Sequence, residues 1–216
     1  MPPTIAIDGP AASGKGTLSK RLAAHYGYAH LDTGSLYRAV GLMVRLAGGD
    51  PAEPALALAA AKALTPESAI LVHPGLRGDE AAGAASLVAA MPEVRAALLD
   101  FQHSFAANPP GGKGSVLDGR DIGTVVCPNA PAKLFVTASV EVRAERRVKE
   151  LRAAGQDVSV DTVLMDMKAR DERDSRRAVA PLKPAVDAFV LETSALDADQ
   201  AFDVACAFLR TKIGPA

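Results

Sequence analysis

The chain has 216 residues, 49% of them hydrophobic and 23% charged, and its formal net charge at pH 7 is −1. This is typical of one globular domain with a substantial core, and the near-neutral charge gives no reason to expect a nucleic-acid polymer or a membrane surface as partner. Cys127 and Cys206 have no metal-binding spacing, the four histidines show no ligand spacing, and we find no targeting pattern and no membrane-spanning apolar run. We therefore expect a cytoplasmic monomer that acts on small molecules, with structural or surface roles for the histidines.

The first informative stretch joins a predicted strand to a predicted helix. Thr4 to Asp8 is an apolar run that leads directly into GPAASGKGT, residues 9–17, and Leu18 to Tyr26 has helical periodicity. The spacing G-x-x-x-x-G-K in this setting is the fingerprint of a phosphate-binding loop, in which backbone N–H groups and Lys15 surround a polyphosphate. Gly16 stands where the usual pattern has a Ser or Thr that binds Mg²⁺, and this GKGT ending is similar to that of nucleoside monophosphate kinases.

A second strand and helix follow. Ala29 to Asp32 reads as a short strand and Thr33 to about Leu46 as a helix, for which Asp32 and Thr33 are suitable capping residues. Arg38 is harder to explain as structural, because a cation near a helix N-terminus opposes the helix dipole and usually has an anionic partner. A substrate phosphate would be such a partner.

The next segment has a different composition. Gly, Pro and Ala dominate from Gly48 to about Ala84, with a helix predicted near Pro54 to Leu64 and a weak strand at Ala69 to Val72. We interpret this segment as an insertion on the core. Ala81 to Leu99 then has helical periodicity, interrupted near Met91.

The sequence SVLDGRD, residues 115–121, is an apolar strand that ends in an acid. In phosphate-loop proteins such an acid lies beside the loop and holds or orients Mg²⁺, whereas an isolated apolar strand followed by Asp is often just a strand end. Because the phosphate loop is also present, we predict a metal-associated role for Asp118. Arg120 and Asp121 would then lie at the carboxyl edge of a parallel sheet, where open α/β folds bind ligands.

Two arginine-rich helices are predicted at Ser139 to Ala153 and Val160 to about Arg177. The charged end of the second helix, RDERDSRR, has two interpretations. It is either a solvated face with i, i+4 ion pairs, or part of a lid that closes over phosphates with Arg170, Asp174 and Arg177 on one face.

The remaining elements are a strand at Lys133 to Thr137, a strand at Phe189 to Glu192 and a helix from about Ala198 to Leu209, capped by Asp197 and Gln200. Strands and helices alternate along the chain. This alternation predicts a parallel sheet with helices on both faces.

Four motifs together resemble the bacterial cytidylate kinases: GPAASGKGT at residues 9–17, LDTGSLYR at 31–38, VLDGRDIGTVV at 116–126 and RDERDSRRAVAPLKPA at 170–185. The resemblance implies an α/β, three-layer P-loop kinase fold with a parallel central sheet flanked by helices. It also implies one domain, residues 1–216, divided into a core (1–47, 96–146 and 178–216), a monophosphate-binding insertion at about 48–95 and a short lid at about 147–177.

The family transfers the γ-phosphoryl group of ATP to CMP or dCMP with Mg²⁺, so the resemblance also implies roles for individual residues. The implied ATP-binding residues are Gly9, Pro10, Ala11, Ala12, Ser13, Gly14, Lys15, Gly16 and Thr17. The implied CMP-binding residues are Thr33, Arg38, Ser86, Arg95, Arg120, Asp121, Arg170, Asp174 and Arg177. Lys15, Arg120 and Arg177 would be catalytic. Arg38, Arg120 and Arg177 would contact the acceptor phosphate, Ser86 the base and Asp174 the sugar, with Arg170 in support.

This chain departs from the family pattern in two places: Thr33 replaces a usual Ser, and the insertion between Leu64 and Gly83 is shorter and poorer in strands than expected. Rival interpretations are a kinase for UMP, AMP or shikimate, and a GTPase-like switch. The switch is disfavoured because the sequence has no N-K-x-D segment for guanine recognition after the third strand and because a switch does not need a second, arginine-lined pocket.

Overall fold

A parallel sheet of five strands, in the order β2-β3-β1-β4-β5, forms the centre of the molecule. The computed structural model describes residues 2–216, apart from the side chain of Asp79. The strands are β1 (Thr4–Asp8), β2 (Ala29–Asp32), β3 (Ser115–Gly119), β4 (Ala132–Thr137) and β5 (Phe189–Glu192). The helices are α1 (Lys15–Tyr26), α2 (Thr33–Leu46), α3 (Pro54–Ala63), α4 (Asp79–Val88), α5 (Pro92–Ala107), α6 (Val140–Ala153), α7 (Val160–Ser175) and α8 (Ala198–Ile213).

Helices cover both faces of the sheet. Successive residues of a strand point to opposite sides, so neighbouring residues join different hydrophobic clusters. Ile5 and Ile7 of β1 belong to a core cluster built with α1 and α8, whereas Ala6 between them belongs to a cluster that includes residues of α5. Val116 and Leu117 of β3 divide in the same way. The predicted α/β fold with a parallel sheet flanked by helices is therefore confirmed.

A second hydrophobic cluster joins α2 to α3, α4 and α5, with Leu36, Val40, Val88 and Leu98 among its buried members. Helix α4 approaches α2 closely at Gly41, where a Cβ atom would lie only 2.6 Å from the Cβ of Ala84. The small residues of this region thus allow tight packing of helices beside the sheet.

A third, smaller cluster joins α6 to α7 through Val148, Leu151, Val163 and Met167. The cluster also contacts the half-buried side chains of Ala11 and Ala12 in the loop after β1. The two helices therefore form a hairpin that packs on this loop.

The prediction of a strand at Ala69 to Val72 is wrong, because these residues form a short 3₁₀ helix. Leu71 N–H donates to Ser68 C=O and His73 N–H to Ile70 C=O, so the backbone is satisfied locally. Ile70 and Leu71 pack against the cluster around α2 instead of belonging to a strand, and Val72 is exposed. The predicted interruption near Met91 is confirmed, since α4 ends at Val88 and α5 begins at Pro92.

No single helix in the described part of the chain is long and apolar enough to cross a membrane. The segments Glu80–Val88 and Pro92–Ala107 reach the required length only when counted together, and they are bent by 102°.

Candidate active site

A cleft of about 710 Å³ opens at the carboxyl ends of β1 and β3. The loop after β1 forms one wall, and parts of α2 and α4, the segment after β3 and helices α6 and α7 form the others. All nine residues predicted to bind CMP line this cleft: Thr33, Arg38, Ser86, Arg95, Arg120, Asp121, Arg170, Asp174 and Arg177. The first and last of them, Thr33 and Arg177, are more than 140 residues apart in sequence, and the strand order brings the set together.

The loop after β1 has the backbone of a phosphate loop. Gly9 has φ 151°, and a Cβ atom there would lie 2.0 Å from the carbonyl oxygen of Val136. Gly14 has φ 87° and begins the turn into α1. Glycine is required at both positions, at Gly9 by the close approach to β4 and at Gly14 by the left-handed backbone.

Seven of the nine predicted ATP-binding residues, 11–17, line the cleft, whereas Gly9 and Pro10 do not. Gly9 packs beneath the loop against β4, and the Pro10 carbonyl accepts a hydrogen bond from Nζ of Lys15 at 3.0 Å. These two residues therefore shape the loop and place its lysine rather than forming the cleft wall.

Lys15 lines the cleft, is buried and lies near charges of both signs. Burial and then Arg120 lower the pKa of Lys15 from 10.5 to about 7, with Arg170 acting in the same direction. Asp118 and Asp32 oppose the shift. An anionic ligand that reached Lys15 would restore its positive charge, because a nearby negative charge favours the protonated amine.

Asp174 lies at the centre of the arginine cluster and is 1% exposed. Its Oδ2 accepts a hydrogen bond from Nε of Arg120 at 3.0 Å, and its Oδ1 pairs with Arg177. Burial alone would raise the pKa of Asp174, but Arg120, Arg177 and Arg170 outweigh it and hold the pKa below its ordinary value of 3.8. This face of α7 is thus a buried charge network.

The opposite face of α7 carries the solvated ion pair that the other interpretation predicted. Arg176 and Glu172 are both exposed and pair at 2.8 Å, with i, i+4 spacing. The charged sequence at the end of α7 therefore contains both patterns, separated by helical face.

Arg170 has a donor without a partner. Its Nε is buried and makes no hydrogen bond with any residue that the structure describes. Burial and then Arg120 lower the pKa of Arg170 to about 10. Since buried polar groups are normally hydrogen-bonded, a guanidinium in this state is suited to an anionic ligand in the cleft.

The segment after β3 contributes a buried ion pair between Asp121 and Arg95 of α5. Arg95 also donates to the Ala89 carbonyl at 3.2 Å and lies 5.4 Å from the ring centroid of Tyr37. Nearby, Ser86 is 3.3 Å from Nε of Arg173, a cleft residue of α7 that was not predicted from sequence. Its place in a run of charges gave no signal that separated it from its neighbours.

Asp118 has a partner that the sequence did not predict. Nε2 of His30, on the neighbouring strand β2, lies 2.7 Å from Oδ2 of Asp118. Arg38 also has an anionic neighbour in the protein, because its Nη1 lies 3.6 Å from Oδ2 of Asp32. Asp32 directly precedes α2, but its side chain makes no capping hydrogen bond, so the capping role predicted for this side chain is wrong.

A smaller hollow of about 120 Å³ lies on the other side of the phosphate loop. Arg146 of α6 lines it and donates to the carbonyl of Thr193 at 2.7 Å, and Thr193 in turn donates to the Ser13 carbonyl at 3.1 Å. Sequence reasoning missed this hollow, because only the adjacency of β4 and β5 brings the end of β5 to the phosphate loop.

Comparison with known proteins gives matches over nearly the whole chain. Residues 5–210 match the sequence model of the family described as cytidylate kinase. A cytidylate kinase of Paramagnetospirillum magneticum is 64% identical over 212 residues, which is 98% of this chain and 100% of the relative. A cytidylate kinase of Rhodospirillum rubrum is 61% identical over 209 residues, covering 96% of this chain and 97% of the relative.

Among solved structures, an uncharacterised protein from Eubacterium ventriosum ATCC 27560 has a TM-score of 0.56 at 16% identity, covering 97% of this chain and 99% of that chain. At this identity the likeness concerns the fold alone. The resemblance predicted from the four motifs is confirmed by the much higher identity of the first two relatives. The chain belongs to the cytidylate kinase family.

Proposed function

We propose that this protein transfers the γ-phosphoryl group of ATP to CMP or dCMP, giving ADP and CDP or dCDP. The observation that carries the proposal is the arrangement of one cleft, in which a phosphate loop with Lys15 faces a cluster of guanidinium groups around Asp174. Such a cleft suits two phosphorylated ligands whose phosphates meet between opposing positive charges.

The donor occupies the phosphate loop, residues 9–17, with its phosphates on the backbone N–H groups at the N-terminus of α1. The hollow behind the loop is open beside the planar guanidinium of Arg146. A purine ring fits such a place, since flat aromatic groups stack on guanidinium planes. We therefore assign the adenine of ATP to this hollow.

The acceptor phosphate lies between Arg38, Arg120 and Arg177, with the unpartnered donor of Arg170 close to them. Asp174 holds Arg120 and Arg177 in place, and its carboxylate is available to the hydroxyl groups of the sugar once the lid closes. This assignment accounts for a buried carboxylate inside a cluster of arginines better than a purely structural role does, because a buried ion-pair network contributes little net stability.

The base lies against Ser86 and the pair formed by Arg95 and Asp121. A cytosine presents an amino group that can donate to a carboxylate, whereas uracil presents a carbonyl oxygen in the same position. A uracil carbonyl facing the Asp121 carboxylate would place two acceptors together with no donor between them, which is costly in a buried site. Asp121 therefore favours CMP over UMP.

The transfer is an in-line displacement at the γ-phosphorus. A phosphate oxygen of CMP forms the new bond, the bond to the β–γ bridging oxygen breaks, and ADP leaves with the electron pair. No general base is needed, because the attacking oxygen is already anionic. Lys15, Arg120 and Arg177 stabilise the negative charge that spreads over the transferred group.

Mg²⁺ bound to the ATP phosphates supplies further positive charge to the reaction. The described residues contain no group of three His, Cys, Asp or Glu side chains that could hold a metal on its own, so the site would depend on the phosphates for most ligands. Asp118 fits a supporting place, since it lines the cleft and His30 binds one of its two oxygens. The exposed Thr17 supplies a hydroxyl one residue beyond Gly16.

We assign the segment of about 48–95 to acceptor binding and that of about 147–177 to a lid, on a core of 1–47, 96–146 and 178–216. Closure of the lid excludes water and so protects ATP from hydrolysis. The cleft is lined by residues of this one chain, and we propose that the protein acts as a monomer. We also propose that it acts in the cytoplasm.

The proposal is tested by product analysis. Protein incubated with ATP, Mg²⁺ and CMP should release ADP and CDP in equal amounts, and ADP release should be at least ten times slower without CMP. Equal ADP release with and without CMP would identify an ATPase and contradict the proposal.

A further inference from the structure

Asp8 is a buried carboxylate with a specific contact outside the cleft. It is the last residue of β1, comes directly before Gly9 and is only 3% exposed. Its Oδ1 accepts a hydrogen bond from the backbone N–H of Ile122 at 2.7 Å, and its Oδ2 accepts one from the N–H of Gly123 at 2.8 Å. One carboxylate thus binds two successive backbone donors on a distant part of the chain.

These donors open the π-helical turn Ile122–Val126, which begins immediately after Asp121. The first N–H groups of a helical segment have no partner within it, so Asp8 satisfies donors that would otherwise be buried unpaired. The Asp121 carbonyl accepts from the N–H groups of Val125 and Val126 within the turn. The same short segment therefore contains the Asp8 contact and Asp121.

The backbone pairing of β1 with β3 ends where Asp8 is opposite Gly119. Beyond this pair the two segments diverge: β1 leads into the phosphate loop, and β3 leads into Arg120 and Asp121. The carboxylate of Asp8 continues the connection past the end of the ladder. Gly123 allows the close approach, because a Cβ atom there would lie 3.3 Å from Oδ2 of Asp8 and 3.2 Å from Cδ of Lys133.

We infer that Asp8 is a positioning residue that sets the orientation of Arg120 and Asp121 relative to the phosphate loop. It does not line the cleft, and the inference rests on the proposed acceptor-binding roles of Arg120 and Asp121. Phosphoryl transfer requires close alignment of the two substrates, and a displacement of about 1 Å in such a site costs on the order of 100-fold in rate.

The variant Asp8→Asn tests this inference while preserving the size of the side chain. Its NH₂ group must face one of the two backbone N–H groups, so one hydrogen bond is replaced by an unfavourable contact between donors. We expect kcat/KM for CMP at saturating ATP to fall at least 10-fold, while the dissociation constant of ATP in the absence of CMP changes by less than 3-fold.

Thr4→Val is the matched control. Thr4 and Ser115 form a buried hydrogen bond of 3.0 Å that joins the same two strands at their opposite ends. This variant should lower the melting temperature without changing kcat/KM for either substrate. If Asp8→Asn behaves in the same way, or weakens ATP binding as much as CMP use, the inference is overturned.

Two further variants make the result decisive. If Asp8→Asn does not fold, Gly123→Ala crowds the same carboxylate with a Cβ atom 3.3 Å from Oδ2, and it should give the same selective loss of CMP use with a smaller magnitude. Asp121→Asn separates the inference from the proposed function: loss of CMP use in Asp121→Asn but not in Asp8→Asn overturns the role of Asp8 alone, and loss in neither overturns the acceptor site itself.

Discussion

Asp174 and Glu172 lie two residues apart on α7 in opposite surroundings. Asp174 is enclosed by Arg120 and Arg177, whereas Glu172 pairs with Arg176 in solvent. Both acids have an arginine three or four residues later, so the local sequence pattern does not distinguish them. Their burial does, and it makes them a matched pair for testing the acceptor site.

Asp174→Asn should lower kcat/KM for CMP by about 10- to 100-fold, corresponding to the roughly 1–3 kcal/mol that a lost buried hydrogen-bond partner costs. The KM for ATP should change much less, because the proposed ATP site is on the other side of the cleft. Glu172→Gln should leave both parameters within about 2-fold, since exposed ion pairs contribute at most about 1 kcal/mol. Steady-state kinetics at a temperature where thermal melts show all proteins folded provide the comparison.

If Asp174→Asn uses CMP normally, the proposed acceptor-binding role of this face of α7 is wrong and its role is structural. Arg170 and Arg177 would then lose their proposed contacts as well. The control excludes a general effect of removing a negative charge from the helix.

Lys15 has a pKa lowered by burial and by Arg120 from 10.5 to about 7, so the ligand-free fold favours the neutral amine. When the pKa of a group is lower in the folded than in the unfolded state, the unfolded state binds its proton more readily. The free energy of unfolding therefore decreases as the pH falls from the unfolded pKa through the folded pKa. Between about pH 10.5 and 7, protonation of Lys15 therefore favours unfolding. Lys15 therefore does not stabilise the ligand-free fold, which is consistent with its proposed role in binding the ligand.

Lys15→Met should lower kcat by roughly 100- to 1000-fold, the range typical of removing one preorganised charge at a transition state. Thermal melts without nucleotide at pH 7.5 should show a melting temperature equal to or above that of the wild type. The difference between the two proteins should shrink at pH 10, close to the unfolded pKa of 10.5, because Lys15 is then partly neutral in the unfolded chain as well. A variant that melts much lower, or that retains turnover, would contradict this role.

Helices α6 and α7 form an element whose packing extends to the phosphate loop. Arg143 of α6 pairs with Asp171 of α7 at 2.6 Å and donates to the Ala11 carbonyl at 3.3 Å. Gly155, with φ 82°, lies in the turn between the two helices. A movement of the hairpin would therefore also affect the loop proposed to bind the ATP phosphates.

Val148→Ala tests whether this hairpin opens as a separate unit. Val148 is buried between α6 and α7 and does not line the cleft. Removing its methyl groups should cost roughly 2 kcal/mol of local stability and increase amide hydrogen exchange across residues 140–175. Val40→Ala, in the second hydrophobic cluster, is the control and should instead lower the global melting temperature. Uniformly faster exchange in Val148→Ala would contradict a separately opening lid.

Most elements were predictable because their signals are local. The phosphate loop, the interruption at Pro92 and the capping box of Asp197 and Gln200 depend on residues within a few positions of one another. The strand predicted at Ala69 to Val72 failed because residue type cannot supply a hydrogen-bonding partner, and no strand lies beside this segment. The π-helical turn was not predicted, since Asp8, which satisfies its first donors, is 114 residues from Ile122 in sequence.

At the scale of the whole molecule, the strand order places β1 between β3 and β4. This position brings the phosphate loop next to Arg120 and Asp121 on one side and to the end of β4 on the other. Seven of the nine predicted acceptor residues lie in the motifs, and the family resemblance implied the other two, Ser86 and Arg95; the structure brings all nine into one cleft. The contacts of His30 and Arg146 could not be predicted, because they depend on which strands are neighbours.

The most direct test of the account is an acceptor profile with ATP as donor. The purified protein is assayed for ADP release with CMP, dCMP, UMP, AMP and shikimate, and kcat/KM is compared at saturating ATP. The account predicts that CMP and dCMP are the best acceptors and that UMP is at least about 10-fold poorer, because a uracil carbonyl would face the buried Asp121 carboxylate with no hydrogen-bond donor between them. A higher kcat/KM for AMP, shikimate or UMP than for CMP would contradict it.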